Sequence, residues 1–202
     1  MVRRTFLQGT FRFREKPGDK TVYLTFDDGP IPESTPWLLD LLDKYGIKAT
    51  FFVVGDNVRK YPALYEEIIR RGHSVGNHTM HHVNGMTKLA QNYMRDVREA
   101  SQYIDSDLVR PPHGWMCLAQ REWLRKHYRI IMYDVVTRDY SKYVNTDRIF
   151  ENVKRYSRSG SIIVFHDSLK SIEKLKTALP RCIEWLRDEG YEFKAIKAGK
   201  CK

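Results

Sequence analysis

Two adjacent carboxylates, Asp27 and Asp28, end a short apolar run, Val22-Tyr23-Leu24-Thr25-Phe26, and are followed at once by Gly29-Pro30. The run reads as a buried strand closed by turn residues. Successive side chains on a strand point to opposite faces, so the two carboxylates face different ways. One can then bind a metal while its neighbour stays free to accept a proton. Asp-Asp-Gly-Pro also suits an ordinary surface turn or helix cap, and the rest of the chain decides between the two.

Further along stands His78-Thr79-Met80-His81-His82. A helical turn there would set the imidazoles of His78 and His82 on one side, the spacing used for zinc. His81 belongs to the same cluster and by spacing alone can replace His82. Two histidines and one carboxylate form a ligand set that leaves a coordination position open, as catalytic sites do. Asp28 offers the carboxylate; without one, a surface histidine cluster would be the better reading.

Arg110-Pro111-Pro112-His113-Gly114 brings a guanidinium able to orient a carboxylate and depress its pKa. Its prolines fix the backbone and its glycine permits close approach to a ligand. Asp139 lies beyond the run around Val135-Val136, and His166 follows Ile162-Ile163-Val164-Phe165. Taken singly, Arg110 suits a surface turn and His166 a satisfied structural histidine. Strand ends carrying Asp, His, Arg, Asp and His in one short chain favour a site.

The elements that must position these residues alternate. Strands are expected at 22–26, 48–54, 74–77, 108–110, 129–136, 161–165 and 191–196. Helices are expected at 31–45, closed by Gly46, at 62–71, closed by Gly72, and at 87–104 with Leu89, Tyr93, Val97, Ala100 and Ile104 inward. Others fall at 118–127, at 146–156 with a cap near Asn145, and at 171–189, where Pro180 should break or kink the helix. Residues 1–20, with Phe6, Phe11 and Phe13 among basic residues, read as an edge strand or a strap. Apolar strands alternating with helices imply a parallel sheet covered by helices, with its site at the strands' C-terminal ends.

The chain's 202 residues are 42% hydrophobic, enough for a substantial core in one domain. No apolar run reaches the length of a transmembrane helix. Met1–Gly9 begins basic but lacks the apolar stretch of a signal peptide, which points to the cytoplasm, or outside it if the chain is a trimmed form. Cys117, Cys182 and Cys201 are odd in number and lack metal-type spacing, which argues against a disulfide scaffold. The net charge of +10 is spread without a basic block, so it reads as a solubilising surface rather than a nucleic-acid partner's footprint.

Taken in order, Thr-Phe-Asp-Asp-Gly-Pro (25–30), His-Thr-Met-His-His (78–82), Arg-Pro-Pro-His-Gly (110–114), Asp139-Tyr140 and Ile-Val-Phe-His (163–166) resemble the NodB-homology polysaccharide deacetylases, carbohydrate esterase family 4. The resemblance runs over about residues 20–197 of a single 1–202 domain. It implies an α/β fold, a distorted, incomplete (β/α) barrel of the NodB deacetylase type. It also implies a metal-dependent hydrolase that removes acetyl groups from N-acetylated sugars of a chitin-like or peptidoglycan-type polymer. Asp27 would be the general base, with Arg110 as its partner. Asp28, His78 and His82 would hold one divalent ion, zinc first, with cobalt or nickel as alternatives. His166 would be the general acid, with Asp139 as its partner. The His113 N–H would serve the oxyanion, Tyr140 the groove wall and Val164 the acetyl methyl. The choice of His82 over His81 comes from the resemblance alone.

Two positions depart from that pattern: His113 stands where an aromatic such as tyrosine is usual, and Tyr140 where tryptophan is usual. Both bear on the substrate more than on the reaction. Two other readings remain as competitors. One is a related hydrolase of a non-carbohydrate acetamide, ester or cyclic imide; the other is a non-catalytic protein that binds an anionic polymer.

Overall fold

A computed structural model of the chain describes residue 13 and residues 18–200. The strap expected over residues 1–20 falls mostly outside these, as does Cys201. Phe13 donates its N–H to the Gly160 carbonyl and sets its ring 4.6 Å from that of Tyr23.

Every strand pairing among the described residues is parallel. Strand β1 (Thr21–Asp28) is central, with β2 (Thr50–Val53) on one edge and β7 (Ser161–His166) on the other. Beyond β2 come β3 (Ser74–Asn77), β4 (Leu108–Val109) and β5 (Arg129–Ile130); beyond β7 comes β6 (Val135–Val136). The short β8 (Glu192–Phe193) pairs with Thr21 and Val22, ahead of where β2 begins its pairing at Thr25.

The strand order β5-β4-β3-β2-β1-β7-β6 determines the sheet's shape. Laid flat, those seven strands would put β5 and β6 about 29 Å apart at the usual strand spacing. The chain joins them through residues 131–134 alone, a span of at most about 18 Å. The sheet must therefore curl until its ends approach, and β5 and β6 do not pair, so the barrel stays incomplete. The unbroken strand expected at 129–136 is divided for the same reason. It crosses this seam, and the carbonyls of Ile131 and Met132 turn to the Arg110 guanidinium instead of a neighbouring strand.

Helices α1 (Thr35–Lys44), α3 (Pro62–Arg70), α4 (Ala90–Ala100), α5 (Leu118–His127), α6 (Thr146–Tyr156) and α7 (Ile172–Asp188) accompany the strands, with a short α2 (Gly55–Lys60) directly after β2. The largest apolar cluster joins Phe26, Phe51 and Phe165 of the strands to Leu38, Leu39 and Leu42 of α1 and Leu179, Ile183 and Leu186 of α7. Alternation sends Phe52 to the opposite face, into a smaller cluster with Leu108, Ile131, Ile162 and Ile196.

Pro180 does not break α7, which continues from Ile172 to Asp188. An internal proline costs about 3 kcal/mol. Ile172, Leu175, Ala178, Leu179, Cys182, Ile183 and Leu186 are all buried along that helix, and burying such side chains is worth roughly 1.5–3 kcal/mol each. The expected 87–104 helix is shorter, and Leu89, which precedes it, is 76% exposed rather than inward. Asn145 caps α6 as expected, accepting from the Arg148 N–H at 2.9 Å. Among the described residues, no helix is long and apolar enough to cross a membrane.

Candidate active site

Nine of the ten candidate residues lie at or beyond the C-terminal ends of the strands, with Val164 inside β7, and eight of the ten line one cleft of about 990 Å³; Arg110 and Asp139 support it from beneath. Strand register places the carboxylates. Asp27 pairs with His166 across β1 and β7, and Asp28 pairs with Val53, whose row continues through Asn77 to Val109. One row thus brings the ends of β1, β3 and β4 together, just where Asp28, His78 and Arg110 stand.

Asp27 is 3% exposed and is held by Arg110, whose Nη1 donates to its Oδ1 at 2.6 Å. The guanidinium is fully buried and has further contacts. It donates to Thr25 Oγ1 at 2.8 Å and to the carbonyls of Ile131 and Met132 at 3.2 and 3.0 Å, and it lies 4.0 Å over the Phe52 ring. A permanent charge can be buried only with such satisfaction. Asp27 Oδ2 is left facing His78 Nε2 at 3.9 Å.

Asp28 sits at φ 87°, which turns its carboxylate off the strand direction. Its Oδ1 lies 3.3 Å from His82 Nε2 and 3.9 Å from His78 Nε2. That oxygen is buried and has no hydrogen-bond partner among the described residues, an arrangement that costs free energy unless a cation completes it. Ligand atoms of Asp28, His78 and His82 all lie within 4.8 Å of one another. His78 Nδ1 sits 2.7 Å from the Arg110 carbonyl, which fixes the proton on Nδ1 and frees Nε2 to ligate. The two-nitrogen, one-oxygen set therefore fits a divalent ion. Burial acts on all three residues. It pushes the Asp28 carboxyl up to about 6 and the His78 imidazole down to about 3, and it also lowers His82.

The segment 78–82 is not helical, contrary to the spacing argument. Thr79 and His82 take left-handed conformations, φ 66° and 51°, and these swing both imidazoles toward Asp28. Asp96 on α4 holds that shape: its Oδ1 accepts from the N–H groups of Met80 and His81 at 2.8 and 3.1 Å. Its Oδ2 lies 2.7 Å from His81 Nδ1, so His81 is turned to Asp96 and away from Asp28. Asn77 Oδ1 adds a bond from the Thr79 N–H. Nothing in the sequence singled out Asp96, which lies on a helix face fifteen residues from His81.

Across the cleft, Asp139 is fully buried and accepts twice from His166, at its Oδ2 from the backbone N–H and at its Oδ1 from Nδ1, both at 2.8 Å. Burial pulls the imidazole down, but the Asp139 carboxylate outweighs it, and the His166 pKa rises to about 9. Nδ1 being engaged, Nε2 is the nitrogen left for the cleft. Tyr140 sets its ring 4.7 Å from that of His166, edge to face. Val164, Val136 and Tyr133 line the cleft beside them. His113 adopts φ 59° and meets the His82 ring at 4.8 Å.

Asp167 was also missed. It is 1% exposed, accepts from Ser34 and Thr35 hydroxyls at 2.5 Å each, and donates its own N–H to the Asp27 carbonyl at 2.7 Å. Ser34 and Thr35, at the start of α1, thus give their hydroxyls to Asp167.

A fixed carboxylate, a charged imidazole and a cation-ready triad around one open cleft make hydrolytic machinery, and similarity to known proteins narrows the class. A family signature described as polysaccharide deacetylase matches residues 14–129. The chain belongs to the polysaccharide deacetylase family, the NodB-homology hydrolases of carbohydrate esterase family 4. A peptidoglycan-N-acetylglucosamine deacetylase of Bacillus cereus is 29% identical over 186 residues, covering 88% of this chain and 87% of that one. A chitooligosaccharide deacetylase of Sinorhizobium fredii is 32% identical, covering 91% and 93%. The crystal structure of a peptidoglycan N-acetylglucosamine deacetylase in complex with a naphthalenyl N-hydroxybenzamide superposes with a TM-score of 0.86 at 31% identity, over 93% of this chain and 90% of that one. The curled parallel half-barrel is therefore the fold of this family, as the sequence motifs implied.

Proposed function

We propose that the protein is a metal-dependent deacetylase of N-acetylated sugars in a peptidoglycan-type or chitin-like polymer, with residues 20–197 as a single catalytic domain. The observation that carries the reading is the Asp27–His166 pairing across β1 and β7. It sets a carboxylate fixed by a guanidinium beside an imidazole charged by a carboxylate. Base and acid for one hydrolysis thus face the same cleft.

Asp28, His78 and His82 hold the ion, zinc first given two imidazoles and a carboxylate, with cobalt or nickel as alternatives. When bound, the ion supplies Lewis acidity at the acetyl carbonyl and its attacking water. Asp27 accepts the water's proton at Oδ2, because Oδ1 is held by Arg110. The His113 N–H donates to the developing oxyanion. His166 gives its Nε2 proton to the departing amine, while Asp139 holds Nδ1 and the ring's orientation. Val164, with Val136 and Tyr133, excludes water around the acetyl methyl, and Tyr140 walls the groove beside His166.

The test is acetate release from N-acetylglucosamine oligomers and from peptidoglycan, before and after chelation and after adding back each metal. Activity lost on chelation and restored by zinc or cobalt is expected. Release from small acetamides or imides, with none from any sugar, would move the protein to the non-carbohydrate class.

A further inference from the structure

Of the four tryptophans, Trp115 alone is exposed among the described residues, at 51%. Trp123 is stacked by His127 and Arg98, Trp185 meets Phe150, and Trp37 packs on the main core. No ring or cation among the described residues covers Trp115, although it lines the active-site cleft.

The backbone beneath it is fixed. His113 and Gly114 turn the chain with φ of 59° and 72°, and the Trp115 N–H donates to the Pro112 carbonyl at 3.2 Å. Gly85 lies so close that a Cβ there would meet the Trp115 carbonyl at 2.6 Å. Gln120 ties the two segments together, donating to the Gly85 carbonyl and accepting from the Cys117 N–H, each at 2.8 Å. An indole half in water on a rigid mount costs solvation and loses little entropy on binding, as a preformed recognition surface does.

Its position gives it a ligand. Trp115 follows β4 and stands two residues from His113, whose ring touches His82. Tyr140, 45% exposed, follows β6 at the far end of the strand order and touches His166. The reacting centre on β1, β3 and β7 lies between these two exposed rings. Resting on the deacetylase reading, we propose that Trp115 is the stacking platform for a sugar ring adjacent to the reacting one, on the side opposite Tyr140. The sugar chain then crosses the cleft from one aromatic to the other, and the residue that loses its acetyl group lies inside the chain rather than at its end.

Covering the open indole face removes on the order of 50 Å² of apolar surface from water, worth about tenfold in affinity. The experiment compares kcat and KM on N-acetylglucosamine and its oligomers up to the pentamer for wild type, Trp115→Ala and Trp115→Tyr, and maps the deacetylated position by mass spectrometry. Trp115→Ala should raise KM about tenfold on the pentamer, change it little on the monomer and leave kcat near wild type. Trp115→Tyr should recover most of the loss, and wild type should deacetylate internal positions. Equal KM changes at every length, no change at any length, or attack confined to a terminal sugar would overturn the proposal. Calorimetry with the fully deacetylated pentamer separates the two readings. Binding that depends on Trp115 without acetate release would overturn the deacetylase reading and keep the platform. Acetate release with KM indifferent to Trp115 would do the reverse.

Discussion

The cleft holds histidines of two kinds. His78 and His166 both lose solvation on burial, which disfavours the charged ring in each. His78 Nδ1 meets a backbone carbonyl at 2.7 Å, and the ring stays neutral, its pKa near 3. His166 Nδ1 meets a carboxylate at 2.8 Å, and the pKa rises to about 9. Nearly equal distances give opposite charge states, because a carbonyl dipole orients a ring whereas a full negative charge also stabilises its proton. The partner of the second nitrogen thus separates a ring fit to ligate a cation from one fit to donate a proton.

The strongest test lies at Asp27, which faces His78 Nε2 and pairs with His166 across β1 and β7. Asp27→Asn keeps the shape and removes the proton acceptor, so turnover should fall by roughly 10²–10⁴ with metal content unchanged. Near-native turnover in metal-loaded Asp27→Asn protein would remove Asp27 from the reaction.

The neutral side should break at His82 and not at His81. His82→Ala should weaken metal binding by at least on the order of tenfold, measured by chelator competition. His81→Ala should change it far less, since His81 faces Asp96. The opposite order would reverse the assignment.

The charged side should yield the smallest shift. An acid whose pKa lies near 9 is protonated at neutral pH and loses its proton as pH rises through that value. Asp139→Asn removes the charge that raises it, so the alkaline limb of kcat/KM should move down by about a unit or more, with metal affinity intact. A limb that stays in place would make Asp139 a structural residue only.

Much of this arrangement was legible in the sequence because short apolar strands announce their own ends, and the polar residues just past them were the candidates. Asp27, Asp28, Arg110 and His166 were found that way. What escaped was set by contacts that cross the chain. The left-handed backbone at Thr79 and His82 depends on Asp96, on a helix whose polar face looks ordinary. The division of residues 129–136 depends on the buried guanidinium that claims two of its carbonyls. The persistence of α7 through Pro180 depends on burial along its whole length, which local propensity does not register.

Gly29 illustrates how far such dependence reaches. It reads as a turn residue after the two aspartates, yet its φ is not in the left-handed range, and the constraint on it is room. A Cβ at position 29 would fall 2.2 Å from Asp167 Oδ2, inside the carboxylate that Ser34 and Thr35 hold in place. Positions 29 and 167 therefore form a lock-and-key pair within one chain. Any side chain larger than hydrogen at 29 becomes admissible only with a shorter residue at 167, so protein engineers who wish to diversify the loop behind Asp28 must change both positions in a single step.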